Sequence, residues 1–258
     1  MELNGRAPEL DEIAALALTD YGHFTSMLVE DGAVRGLPLH VARLARDCRA
    51  LFGVELDVER VRYFLRLAVA GASGPAIARV TIYDPALDLG SIGSDAEPHV
   101  LVTTRAASSG GAPPLRVRSV AYRRDDPPIK HVGLYGALRH RREARRDGFD
   151  DVVFRDPGGG FSELSTSNIG FVRGGRIVWP RSEVLTGITM SLLDGVLDES
   201  STEPVGPADL GEVEAVFATN AATGIRAVSG VDDERFPAEH EVFDELRRRY
   251  ADIPPEQV

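Results

Sequence analysis

Apolar residues recur at Leu37, Val41, Leu44, Cys48 and Leu51. Steps of four and three line one face of a helix, with Pro38 at its start and Gly53 as its stop. Before it, HFTSMLVEDGAVRGLPL predicts two strands joined by a turn at Glu30-Asp31-Gly32. Further helices are predicted over 8–18 and 57–70, and strands over AIARVTIYD and HVLVTTR. The stretch AASSGGAPP, residues 106–114, is small, flexible and prolyl, which marks a linker. Beyond it LRVRSVAY reads as a strand, PPIK as an extended approach, and Gly133 to Asp147 as a helix ended by Gly148. DDVVFRD, IGFVRG, RIVWP, VEAVFAT and IRAVSGV read as strands, with helices over 187–197 and 238–250. A regular strand-helix alternation is absent, so the expected class is mixed α/β (α+β), two-lobed, with mainly antiparallel sheets. The expected division is a small N-terminal domain over 1–105, a linker over 106–114, and a larger C-terminal domain over 115–258 that carries Lys130.

Composition narrows the class of function. With 258 residues, 43% hydrophobic and 27% charged, the chain is an ordinary globular protein long enough to enclose a pocket. A net charge of −11 argues against nucleic acid or an anionic membrane as the main partner. One cysteine, Cys48, cannot make an internal disulfide and has no zinc-type spacing around it, so no metal site and a cytoplasmic, reducing setting are expected. Neither a signal peptide nor a run approaching the ~20 apolar residues of a membrane span is evident.

The basic residues hold a sharper signal. Of 29 Lys plus Arg, one alone is lysine, Lys130. On a solvated face the two residues are near-equivalent charges, but arginine cannot lend a deprotonated amine to attack a carbonyl. A lysine that persists in an arginine-rich chain is therefore a candidate nucleophile, against chance survival as the plain alternative. It follows the stiff approach Pro127-Pro128-Ile129. Tyr135 offers a phenol five residues on, and Glu163 lies in the strand-turn segment GGGFSELSTSNIGF with Asn168. Gly187-Ile188-Thr189 opens a helix, where free N–H groups attract an anion. Arg43, three residues after His40, could add a guanidinium, and Asn220 with the small residues of FATNAATGI could close an anion pocket. Singly, each has an ordinary structural reading: packing for Tyr135, an exposed strand charge for Glu163, a surface salt bridge for Arg43. Jointly they meet the needs of one cofactor, pyridoxal 5′-phosphate (PLP): an amine, a carboxylate for a ring nitrogen, a phenol for a ring oxygen, and an anion cradle.

The segments DGAVRGLPLHVARL, IKHVGLYGALRHRREARRDGFDDVVF, GGGFSELSTSNIGFVRGGRIVWP, LTGIT and FATNAATGIRAV, in this order, resemble the class IV aminotransferases of PLP fold type IV. That family includes branched-chain and D-amino-acid aminotransferases and aminodeoxychorismate lyase. The resemblance covers most of the chain. It implies that Lys130 is the Schiff-base lysine, Tyr135 the tyrosine at the ring oxygen and Glu163 the glutamate at the pyridine nitrogen. It further implies that Arg43, Ile188 and Thr189 bind the phosphate, with Asn168, Asn220 and Ala221 beside the cofactor.

The activity so implied is PLP-dependent transamination between a small-molecule amino donor and a 2-oxo acid acceptor, in a homodimer. The Asn220-Ala221 pair looks more like aminodeoxychorismate lyase, so PLP-dependent elimination releasing pyruvate from 4-amino-4-deoxychorismate is the alternative. Met190 stands where an arginine commonly follows the G-I-T turn, and VTIYDPALDLG lacks the Arg-Gly pattern many relatives carry near the substrate carboxylate. A PLP-binding protein without turnover is the third reading.

Overall fold

A computed structural model describes residues 1–108 and 111–258 and divides the chain into two compact units. The first takes the described residues of Met1–Ser109, with Ile129–Gly133 and Pro254–Val258. The second takes the described residues of Gly110–Pro128, with Leu134–Ile253.

The first unit contains β1 (Glu2–Leu3), α1 (Leu10–Thr19), β2 (His23–Val29), β3 (Ala33–Val34), α2 (Leu37–Phe52), α3 (Val58–Val69), β4 (Ala76–Tyr83) and β5 (His99–Ala106). Its antiparallel sheet runs β1-β5-β4-β2, with β2 and β4 in register from His23↔Ile82 to Val29↔Ala76. Asp31 and Gly32 both take positive φ, 50° and 72°, which makes the turn after β2 and lets Glu30 bridge Ala33. The strand face formed by Met27, Val29, Ala78, Val80, Ile82, Val100 and Val102 packs on Leu37, Val41, Leu44 and Cys48 of α2 and on Val61, Leu65 and Val69 of α3. Asp57 caps α3 by accepting from the Arg60 N–H at 3.0 Å. The short strand Glu256–Gln257 pairs with β3.

The second unit contains β6 (Leu115–Ala121), α4 (Tyr135–Arg146), β7 (Asp151–Arg155), β8 (Phe161–Leu164), β9 (Asn168–Arg173), β10 (Arg176–Pro180), α5 (Ile188–Asp194), β11 (Ser200–Glu203), a 3₁₀ turn (Pro207–Glu212), β12 (Ala215–Asn220), β13 (Gly224–Val231), β14 (Glu234–Arg235) and α6 (Glu241–Asp252). The sheet runs β11-β10-β9-β12-β13-β6-β7-β8, with β14 beside β13, and a further β8–β9 pairing closes a ring of strands. Most pairings are antiparallel, while β10–β11, β13–β6 and β6–β7 are parallel. Phe161, Phe171, Val178, Val216 and Val228 fill one side of the sheet, and Trp179, Phe217, Phe243 and Leu246 the other, under α5 and α6.

The division differs from the expected one. The sequence places all of 115–258 in a single lobe that carries the lysine, but residues 129–133, Lys130 included, and the C-terminal strand belong to the first unit. Backbone hydrogen bonds with β2 fasten the lysine segment there, and apolar periodicity carries no trace of such a local pairing. The expected linker includes residues 109 and 110, which lie outside the described residues. The helix expected from Gly133 begins at Tyr135, because the chain up to Gly133 is still engaged with the first unit.

Candidate functional site

In the first unit the site is built on α2, which buries two stripes side by side. Leu37, Val41, Leu44 and Cys48 form the apolar stripe, and His40, Arg43 and Asp47 form a polar one at steps of three and four. The hydroxyl of Thr25, on β2, lies 2.7 Å from His40 Nδ1. Burial, reinforced by the Arg43 and Lys130 charges, pushes His40 from 6.5 down to about 3, so its ring is neutral at physiological pH. His23 is driven to about 3 as well, by burial and then by Arg46.

Lys130 is clipped onto the outer edge of β2. Its carbonyl accepts from Phe24 N–H at 2.9 Å, and Val132 N–H donates to Gly22 O at 2.9 Å. His131 bridges His23 in antiparallel sense, and the Lys130 N–H donates to Asp47 Oδ2 at 3.1 Å. The Lys130 ammonium lies 4.9 Å from the centroid of the Phe24 ring, within cation–π reach. The Arg79 guanidinium, half-buried on β4, sits 3.5 Å from the same centroid.

In the second unit Glu163, Asn168 and Thr219 form one cross-strand row: Glu163 pairs with Asn168, and Asn168 with Thr219. Directly opposed residues of antiparallel strands present their side chains on the same face, and all three are buried. Arg124 reaches Glu163 Oε1 at 3.4 Å and also donates to Pro127 O at 3.2 Å. Asn168 Nδ2 donates to Leu185 O at 2.7 Å, tying β9 to the segment that leads into α5.

That segment has the features of an anion cradle. A Cβ on Gly187 would fall 2.0 Å from Asn168 Oδ1, so no side chain fits there. Thr189 and Thr219 are almost fully buried, yet neither hydroxyl has a hydrogen-bond partner among the described residues. Buried polar atoms are ordinarily paired, and two orphan hydroxyls near a glycine-only backbone suit an oxygen-rich ligand group such as a phosphate. Among the described residues no group of three or more His, Cys, Asp or Glu is placed to hold a metal ion.

Two candidates are placed differently from the rest. Asn220 spends its side-chain oxygen on Ala222 N–H and Thr223 N–H, both at 2.9 Å, and its amide on Ser167 Oγ at 2.9 Å. It therefore shapes its own turn. Tyr135 opens α4 with 76% of its surface exposed. Sequence reasoning missed Asp47, Arg124 and Thr219. Asp47 was legible as the third member of the 40/43/47 spacing. Arg124 lies among five neighbouring charged or prolyl residues that give no signal of their own.

The family described as amino-transferase class IV matches residues 22–231. The chain is 34% identical over 127 residues to branched-chain-amino-acid aminotransferase 1, mitochondrial, of Arabidopsis thaliana, a match that takes in 45% of this chain and 33% of that protein. The chain thus spans about a third of that relative's length. Among solved structures, the branched-chain amino acid aminotransferase from Escherichia coli is similar at a TM-score of 0.81 and 18% identity, over 91% of this chain and 85% of that one. A protein provisionally described as a 4-amino-4-deoxychorismate lyase from Legionella pneumophila gives 0.80 and 21%, over 96% of each chain. An aminotransferase from Brucella abortus bound to PLP gives 0.79 and 21%, over 92% and 90%. At these identities the structural likenesses speak for the fold alone, that of the fold type IV aminotransferases.

Proposed function

Because the chain belongs to the class IV aminotransferase family, we propose that it uses pyridoxal 5′-phosphate held through Lys130, and moves an amino group from an amino acid or related small amine to a 2-oxo acid. The observation that carries this reading is the setting of the chain's single lysine, fixed by backbone bonds on both sides at the edge of β2. A nucleophile needs that kind of rigid mounting.

The remaining residues take roles matched to their chemistry. Glu163 serves the pyridine nitrogen. The orphan Thr189 hydroxyl, the Ile188 and Thr189 N–H groups and Arg43 serve the phosphate, and the Tyr135 phenol serves the ring oxygen. Asn168 and the Asn220-Ala221 turn hold the backbone around them. When bound, the cofactor supplies an electron sink for negative charge developing at the substrate Cα. Lys130 Nζ is the base that takes the Cα proton and returns it. The Glu163 carboxylate, buried next to Arg124, holds a proton at the ring nitrogen and so favours charge delocalisation. The reading includes a homodimer and a cytoplasmic setting.

Adding PLP to the purified protein should give a visible absorption band that borohydride abolishes, with the reduced adduct found on Lys130 by mass spectrometry. A protein that stays colourless with PLP overturns the assignment. The Asn220-Ala221 pair favours a second reading, elimination of pyruvate from 4-amino-4-deoxychorismate. Product formation that requires a 2-oxo acid in equal amount supports transamination, and pyruvate released from the chorismate derivative alone supports the lyase. A PLP adduct with neither reaction would mark a binding protein.

A further inference from the structure

Asp47 is fully buried, 0% exposed, yet the partner of its charge is not. Arg46, its neighbour on α2, donates Nε and Nη2 to Oδ1 at 2.9 and 2.6 Å, while its own side chain is 53% exposed. Burying a carboxylate is costly, and a pair with so solvated a partner offsets little of that cost. Stability therefore does not account for an aspartate here. What the carboxylate does reach is the other oxygen's partner: Oδ2 accepts the main-chain N–H of Lys130 at 3.1 Å.

We propose that Asp47 is a positioning residue for Lys130, fixing the lysine main chain so that the amine is delivered from one place. This rests on the reading of Lys130 given above. The geometry supports it on three sides. The Lys130 carbonyl is taken by Phe24 N–H and the next pairing is Val132 to Gly22, while the Lys130 N–H is taken by Asp47. The acceptor comes from the helix that also carries His40 and Arg43, so one rigid element sets both the lysine and the guanidinium expected at the phosphate. The acceptor is itself fully buried, so bulk water does not compete for it, which suits a contact whose task is to restrict motion.

The test uses Asp47→Asn, whose amide oxygen keeps an acceptor, and Asp47→Ala, which has none. Because the chain has a single lysine, reaction of the cofactor-free protein with trinitrobenzenesulfonate at pH 9, read by mass spectrometry of the peptide containing residue 130, reports on that amine alone. Hydrogen exchange of the Lys130 amide reports on the bond itself. Asp47→Ala should speed both exchange and labelling at least threefold, and in the PLP-loaded protein lower kcat at least tenfold with the donor KM within twofold. Asp47→Asn should stay within threefold of the parent in every reading. Exchange and labelling that do not change in folded Asp47→Ala overturn the proposal, and so does an Asn variant as impaired as the Ala one. If Asp47→Ala does not fold, Asp47→Leu, which is close in size and also lacks an acceptor, takes its place with the same expected outcomes. Both cofactor-free readouts remain valid if the protein never takes up PLP, so failure of the positioning role and failure of the cofactor assignment are told apart.

Discussion

Glu163 and Asn168 face one another across the connection between β8 and β9, so a carboxylate and a carboxamide leave the sheet side by side on one face. Arg124 meets the glutamate from the chain that follows β6. Glu163→Gln keeps the shape and removes the charge. Turnover should fall about 10²–10³-fold if the carboxylate supports charge in the transition state, with a much smaller change in PLP affinity. Steady-state kinetics and a PLP titration of the same variant check this, and unchanged turnover would refute the role.

Arg124 should matter for folding in its own right. Removing one member of a buried ion pair destabilises a fold by about 3–5 kcal/mol. Arg124→Met should lose most of that stability in a urea titration, while Arg124→Met combined with Glu163→Gln should recover part of it.

Thr189→Val should move stability and cofactor affinity in opposite directions. The hydroxyl is buried without a partner, so replacing it by a methyl removes an unpaired polar atom and should stabilise the cofactor-free protein by about 1 kcal/mol. The same change removes a donor expected at the phosphate, and PLP binding should weaken at least tenfold. Thermal melts with and without PLP read both effects.

Two buried histidines make the fold acid-sensitive. His40 and His23 both titrate near 3 in the folded chain instead of 6.5, chiefly through burial. Between those values the unfolded chain takes up protons that the folded one refuses. The stabilisation is therefore complete above about pH 6.5 and is lost as pH falls toward 3, by about 1.4 kcal/mol per pH unit for each histidine. His40→Gln should flatten the pH dependence of the urea midpoint across this window, and a slope unchanged from the parent would contradict it.

Lys130→Arg separates charge from nucleophilicity. A guanidinium can still lie over the Phe24 ring, so the variant should fold with a melting temperature close to the parent's. Without an amine to bind PLP covalently or to move the Cα proton, turnover should fall by at least 10²–10⁴-fold, and borohydride should leave no adduct.

Much of this was legible in the sequence wherever one residue type or one period carries the signal. The 37/41/44/48 spacing gives α2, Pro38 and Gly53 give its ends, and the Asp31-Gly32 turn after β2 follows from residues that tolerate positive φ. Lys130 stands out by residue type alone. Pairing partners leave no such mark. That residues 129–133 dock at the start of β2 is decided by two backbone–backbone bonds, which any side chains would permit. β11 was missed because Ser200–Glu203 is a polar strand at the sheet margin, lacking the apolar alternation that marks a strand. Asp47 was passed over because a charge on a helix ordinarily faces water, although the 40/43/47 spacing sets it on one face with His40 and Arg43.

The docking of residues 129–133 on β2 also has a temporal consequence. Synthesis releases β2 about a hundred residues before its outer neighbour. Through that interval the nascent sheet carries an unprotected margin of N–H and C=O groups, the kind of edge that recruits foreign strands. Arrival of residues 129–133 caps the start of that margin, at His23, so placement of Lys130 and cover for this end of the edge are acquired in one event.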